Sequence, residues 1–209
     1  MNKIIITINR ECGSGGGEIA RTLGAKLGMK VYDRQILEDV AKQFGTTMEG
    51  LDRIKAQKRS WWKEFCSFYQ QFGAVTHTTG AIVDPTPMSI YYAEARLLRD
   101  LAEQDSCIII GRAGFHIFRE EPNALHLLFM ADRDARIARI AAKQNLTPEE
   151  AAQVIDDVDK ARDTFVENVA NTSRHDARNY NFTFNITGMG PELVSSFLAE
   201  QIRRRMEML

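Results

Sequence analysis

A run of β-branched residues, Ile4-Ile5-Ile6-Thr7-Ile8, passes directly into Asn9-Arg10-Glu11-Cys12-Gly13-Ser14-Gly15-Gly16-Gly17-Glu18, and this junction constrains the chain more than any other stretch. An unbroken β-branched run suits a central parallel strand buried on both faces. Four glycines in the five residues from Gly13 to Gly17 let the backbone take positive φ and approach a ligand closely. From Glu18 onward Ile19, Ala20, Leu23 and Leu27 recur at helical spacing, and Gly28 ends the helix. Backbone N–H groups in such a turn, opening onto a helix N-terminus, hold an anion without any cationic side chain. The competing reading is a tight strand-to-helix turn that holds nothing. Lys30-Val31-Tyr32-Asp33 is a second short strand, which completes a βαβ unit.

The rest of the chain continues the alternation. Strands are expected at Cys107–Ile110, Leu125–Met130 and Asn181–Thr187. Helices are expected through Ile36, Leu37, Val40, Ala41 and Phe44, then over Ser89–Gln104, Asp132–Lys143, Thr147 to about Asn168, and Pro191–Met206. Thr147-Pro148-Glu149-Glu150 carries a capping Thr, Pro at the first helical position and a capping-box Glu. Residues 46–90 break the rhythm: Trp61, Trp62, Phe65, Phe68, Tyr69 and Phe72 recur at helical spacing, and a Thr/Gly/Pro-rich loop follows. This is read as a helical insertion whose aromatic stripe packs on the domain or on a second copy of the chain, with stacking on a base as the rival role. Five strands alternating with helices describe an α/β doubly wound parallel sheet, which binds ligands at the carboxyl ends of its strands. At 209 residues the chain is long enough for one such domain with an insertion.

Composition excludes more than it selects. Lys and Arg number 27 against 28 Asp and Glu, so the net charge of −1 gives no support to a nucleic-acid or membrane-surface role. Three widely spaced cysteines, Cys12, Cys66 and Cys107, form no CxxC pair, which argues against a disulfide framework or a zinc site and suits a reducing compartment. The apolar run before Asn9 is too short for a signal peptide or a membrane span, so the expectation is a cytoplasmic protein.

Two ligand classes compete for the glycine loop. A dinucleotide site wants G-x-G-x-x-G and an acidic residue about 20 positions on. Gly13-Ser14-Gly15 and Asp33 supply part of that, but Glu18 stands at the third glycine. The P-loop pattern, G-x-x-x-x-G-K-[ST], places Arg10 at its first glycine, Gly15 at its second and Gly16 where the lysine belongs.

Taken over nearly its whole length, the sequence resembles the nucleoside monophosphate kinases, and more closely the cytidylate kinase-like family of P-loop proteins. The resemblance rests on Ile4 to Arg10, Gly13-Ser14-Gly15-Gly16, Tyr32-Asp33 and Gly111-Arg112 after a strand. It continues with Arg136 and Arg139 after the next strand and the run Asp156-x-x-Asp159-x-x-Arg162. It implies a three-layer P-loop NTPase fold, a five-stranded parallel sheet flanked by helices, with a helical insertion over about 46–90 on the acceptor side and a lid over about 140–180. It also implies phosphoryl transfer from ATP, with Mg²⁺, to a nucleoside monophosphate such as CMP or dCMP. The implied catalytic groups are Arg10, Arg112, Arg136 and Arg139, since phosphoryl transfer is mostly positioning and charge stabilisation. Gly13, Ser14, Gly15, Gly16, Gly17 and Glu18 would hold the nucleotide, and Asp33, Arg112, Asp156, Asp159 and Arg162 the substrate. The pattern departs at Gly16, which lacks the lysine, at Ile155, where the family has an arginine, and at Gly17 and Glu18, which replace the hydroxyl-bearing residues that hold magnesium. Arg10 is the expected substitute for the lysine, with Glu18 either a magnesium ligand or a partner for Arg10. Arg174 and Arg178 are assigned to a mobile lid loop, and His175 to solvent. The rival functions are a nucleotide-binding regulator without transfer activity, a kinase of a non-nucleotide small molecule, and a nicotinamide-dependent oxidoreductase.

Overall fold

A computed structural model describes residues 3–33 and 87–208. The expected helix through Ile36 to Phe44 and the aromatic stripe from Trp61 to Phe72 lie outside the described residues. The chain divides into two compact units, Met1–Val31 with Gln104–Leu209, and Tyr32–Glu103. In the second unit α2 (Pro87–Ala102) buries Tyr91, Glu94, Ala95, Leu97, Leu98 and Ala102, one apolar stripe with a single carboxylate in it.

The first unit is organised by β1 (Ile5–Arg10), which lies at the centre of a five-stranded sheet. The other strands are β2 (Lys30–Tyr32), β3 (Cys107–Ile110), β4 (Ala124–Met130) and β5 (Phe182–Asn185), in the order β2-β3-β1-β4-β5. Ile5–Ile8 pair in parallel with Cys107–Ile110, Ile5–Arg10 with Ala124–Phe129, and Leu127–Met130 with Phe182–Asn185. Ile5, Ile6, Thr7 and Ile8 are all buried, as a strand covered on both faces requires. On one face Ile4, Ile6, Ile8, Ile108 and Phe129 pack with Ile19 and Leu23 of α1 (Gly16–Leu27) and with Val194, Leu198 and Ile202 of α6 (Pro191–Met208). On the opposite face Thr7 meets Gly114 at the start of the short α3 (Gly114–Ile117), and Thr7 Oγ1 lies 2.7 Å from His126 Nδ1. Asn9 Nδ2 donates to Tyr180 Oη at 2.7 Å on that face.

After β4 come α4 (Arg133–Gln144) and α5 (Pro148–Ala170). Ile140, Ala151 and Ile155 form a small second core around Cys12, so this helix pair is carried onto the glycine loop itself. The start of α5 is as expected: Thr147 Oγ1 accepts from Glu150 N–H at 3.2 Å and Glu150 Oε2 from Thr147 N–H at 2.8 Å. The last strand is shorter than the expected Asn181–Thr187, because side chains take over the hydrogen bonding at its ends. Asn181 Oδ1 accepts from His126 N–H at 2.7 Å, and Thr187 Oγ1 from Asp132 N–H at 2.7 Å. Among the described residues no helix is long and apolar enough to cross a membrane.

Candidate active site

α1 leaves β1 toward one face of the sheet and α3 leaves β3 toward the other, so the carboxyl ends of these neighbouring strands part and leave a crevice. The glycine loop forms one wall and the Gly111-Arg112-Ala113 turn the other.

The loop is braced from within and from behind. Ser14, 1% exposed, donates through Oγ to Glu11 O at 3.0 Å and accepts from Gly16 N–H at 3.3 Å. Its hydroxyl is therefore spent on the loop, leaving only its backbone for a ligand. Glu11 N–H donates to Phe129 O, and Glu11 Oε2 accepts from Ala131 N–H at 3.0 Å, which ties the loop to β4. Gly15 stands at φ 94°, and a Cβ on Gly13 would fall 2.9 Å from Arg136 O, so both need glycine. Among the described residues, the N–H groups of Gly13, Gly15 and Gly17 have no protein acceptor and remain for an anion.

Gly16 explains the missing lysine. A Cβ there would lie 2.9 Å from Arg10 Cβ and 3.0 Å from Phe129 Cδ2, closer than atoms pack. The stem of Arg10 and any side chain at position 16 exclude each other. The Arg10 guanidinium reaches across to the other wall, where a Cβ on Gly111 would be 2.5 Å from its Nη1. Arg10 therefore spans the crevice. Arg112 and Ala113 follow in the left-handed region at φ 55° and 50°, a conformation costing about 1–3 kcal/mol each and concentrated at functional sites. The Arg112 guanidinium lies 4.8 Å from the ring centroid of Phe165 on α5.

Behind the loop runs an ion-pair network that sequence spacing did not reveal. Asp159 Oδ1 accepts from Cys12 N–H at 2.9 Å, and Asp159 Oδ2 accepts from Arg136 Nη1 at 2.6 Å. The same carboxylate lies 3.0 Å from Arg174 Nη2 and 3.7 Å from Arg162 Nη1. Arg162 and Arg174 each donate through Nη1 to Arg10 O at 3.1 Å, which fixes the backbone from which the Arg10 side chain departs. Tyr180 Oη donates to Arg174 O at 2.7 Å while accepting from Asn9.

The structure places the expected site residues as follows. Arg136 is 8% exposed and bonded to Asp159 and to Cys12 O at 3.3 Å, with Glu11 3.7 Å away. Arg139, one turn on, donates through Nη1 to the carbonyls of Gly13 and Ser14 at 2.6 Å and so holds the loop by its outer side. Asp156, Asp159 and Arg162 do not act as one face. Asp156 makes an exposed bidentate pair with Arg133 at 2.6 and 2.8 Å, while Asp159 and Arg162 turn to the loop. Arg174, assigned by sequence to a mobile loop, is 1% exposed and bonded to Asp163 and Asp159. Glu18 is exposed and, among the described residues, its side chain bonds to neither Arg10 nor any other group, and Asp33 follows β2 in the second unit. Glu11, Tyr180 and Asp163 were missed. Glu11 follows β1 and Tyr180 precedes β5, while Asp163 lies within α5, where charge spacing along one helix does not register a partner on another segment.

Burial pushes the Cys12 thiol above its usual range, although the Arg162, Arg136 and Arg10 guanidiniums oppose this and Asp159 reinforces it. Burial also raises Tyr180 to about 12, so both groups stay protonated and neutral near pH 7. No group of three or more His, Cys, Asp or Glu side chains among the described residues is placed to hold a metal ion. Glu18, in the first turn of α1, is the one carboxylate there; this fits Mg²⁺, which keeps most of its waters and takes one or two carboxylates beside substrate phosphates.

The fold superposes on an uncharacterized protein from Eubacterium ventriosum with a TM-score of 0.70, covering 96% of this chain and 99% of that one at 20% identity. It also superposes on a tunicamycin resistance protein from Deinococcus radiodurans, with a TM-score of 0.51, 96% coverage of both chains and 14% identity. A shikimate kinase from Acinetobacter baumannii matches more loosely, at a TM-score of 0.48 and 14% identity over 99% of this chain and 94% of that one. At these identities the likeness speaks to the fold alone. No curated protein matches the sequence. A family model does, over residues 5–188, and with it the chain belongs to the cytidylate kinase-like family.

Proposed function

We propose that the chain transfers the terminal phosphoryl group of ATP to a nucleoside monophosphate, with CMP and dCMP the first acceptors to test. The observation that carries this reading is the Arg10 guanidinium, set between the glycine loop and the Gly111-Arg112 turn in a loop whose packing leaves no room for lysine at position 16. A donor phosphate chain on one wall and an acceptor phosphate on the other would meet at that cation.

The free N–H groups of Gly13, Gly15 and Gly17 and the N-terminus of α1 bind the donor phosphates. Arg112, held over Phe165, takes the acceptor phosphate bidentately. An acceptor oxygen then forms a bond to the γ-phosphorus as the bond to the β–γ bridging oxygen breaks, and ADP leaves with that electron pair. Arg10 balances the charge on the moving group, the part the loop lysine plays elsewhere. Glu18 would hold the Mg²⁺ that accompanies ATP, which would supply neutralisation of phosphate charge. Arg136, Arg139, Asp159 and Arg162 keep the loop in register rather than touch substrate. Helices α4 and α5, packed on the loop, exclude water from its outer side.

The test is ADP release by purified protein with a panel of nucleoside monophosphates and small alcohols. Turnover with CMP or dCMP, cut roughly 10²–10³-fold by Arg10→Ala, is the expected result. Tight ATP binding with no acceptor turned over would make the protein a regulator, and turnover only of an alcohol would move the acceptor class. Calorimetry showing no nucleotide binding at all overturns the proposal.

A further inference from the structure

Arg10 reaches the far wall of the crevice, away from the N–H groups at the donor end of the loop. Two other guanidiniums stand near that end: Arg139, already bonded to Gly13 O and Ser14 O, and Arg21. Arg21 lies one helical turn after Gly17, and helical side chains slant toward the N-terminus, so residue 21 covers residue 17. Its Nη1 is 3.9 Å from where a Gly17 Cβ would be. Gly17 occupies the place where a P-loop of the ordinary pattern carries its metal-holding hydroxyl. With no side chain at 17, the guanidinium lies directly over the first turn of α1.

Arg21 also has nothing else to do. It is exposed and, among the described residues, forms no hydrogen bond or ion pair. Glu18, three residues earlier on the same helix, forms no ion pair with it, although the spacing permits one. The other arginines around the loop are engaged: Arg136 with Asp159, Arg139 with Gly13 O and Ser14 O, Arg162 with Arg10 O, and Arg174 with Asp163. Arg21 lies uncommitted over Gly17, whose N–H has no protein acceptor among the described residues.

We propose that Arg21 is the donor-side phosphate ligand of this loop, binding the polyphosphate chain of the nucleotide next to the N–H of Gly17. The charge that a single lysine brings to an ordinary P-loop is then divided: Arg21 serves the bound donor, and Arg10 serves the group in transit. The division makes different demands on the two residues. Arg21 contacts the ground state and the transition state alike, so its loss raises the Kd and KM for ATP. Arg10 acts on charge that develops during transfer, so its loss lowers kcat.

This inference rests on the proposed nucleotide binding, and calorimetry with inorganic tripolyphosphate and with ATP separates the two. Wild type should bind both, and Arg21→Gln should bind each at least about tenfold more weakly, the change expected for losing one charge-assisted hydrogen-bonding partner. The slope of log Kd against log salt should become shallower, Arg21→Lys should recover part of the affinity, and the ligand-free melting temperature should not move. If wild type binds while Arg21→Gln binds equally well, the role of Arg21 is refuted and the nucleotide-binding reading stands. If wild type binds neither probe, both fall together.

Discussion

Replacing Asp159 with asparagine removes the anion that Arg136, Arg174 and the N–H of Cys12 share behind the glycine loop. The carboxylate side chain is 14% exposed, and its partners Arg136 and Arg174 are 10% and 1% exposed. Asparagine keeps the shape and can still accept from Cys12, but its amide nitrogen then faces a guanidinium and the local positive charge is uncompensated. Breaking one member of such a buried pair costs about 3–5 kcal/mol, because the stranded charge cannot return to water. Asp156 provides an internal control three residues earlier on the same helix. Its pair with Arg133 has side chains 48% and 54% exposed, and water screens such a pair so that it adds little to stability. For a chain of this size each kcal/mol moves the melting temperature by roughly 2–4 °C. Thermal unfolding followed by circular dichroism should therefore fall by roughly 6–20 °C for Asp159→Asn and by much less for Asp156→Asn. Equal, small shifts for the two variants would refute the reasoning, since the difference rests wholly on burial and on the number of partners.

Restoring the ordinary P-loop lysine by Gly16→Lys should destabilise the protein by about 1–3 kcal/mol in urea denaturation, the usual cost of overpacking. Adding Arg10→Gly should recover most of that loss, since the clash is with the Arg10 stem; a double variant no more stable than the single one would show that Phe129 sets the limit. His126 is depressed below its usual 6.5 by burial, so the unfolded ring takes a proton before the folded one does. Its contribution is therefore complete above pH 6.5 and is lost as pH falls from there through the folded pKa, and His126→Gln should flatten the decline of melting temperature below pH 6.5.

Much of the fold was legible because the signals were local and redundant. Ile4 to Ile8 could be a buried central strand and little else, and Thr147-Pro148-Glu149-Glu150 carried three independent marks of a helix start. Elements defined by tertiary hydrogen bonds were harder. α3 is a single turn whose preceding residues take left-handed backbone at Arg112 and Ala113, which nothing in a β-branched or arginine-bearing sequence announces. The end of β5 is decided by Thr187 accepting from Asp132, a residue more than fifty positions earlier in the chain. No periodicity in either segment records such a contact.

The backbone of the candidate site follows from sequence pattern while the partners of its side chains do not, and the reason is general to arginine. Helical spacing places Arg136 and Arg139 on one side of α4, and Asp156, Asp159 and Arg162 along α5, but it does not say which neighbours compete for them. Arg136 found a buried carboxylate, Arg139 two carbonyls, and Asp156 an exposed guanidinium; each contact comes from the packing of α4 and α5 around Cys12 rather than from either helix alone. Position 16 behaves differently. The absence of lysine was visible at once, yet its cause lies across the loop, where Arg10 has taken the volume that a first-position glycine would have left open. The two departures from the P-loop pattern are thus one exchange: a side chain gained at the loop's entrance forbids one at its end. On the proposed function, the charge of the missing lysine enters from elsewhere, from Arg10 at the end of β1 and Arg21 in the second turn of α1, two positions that a bare Gly16 and Gly17 leave unobstructed.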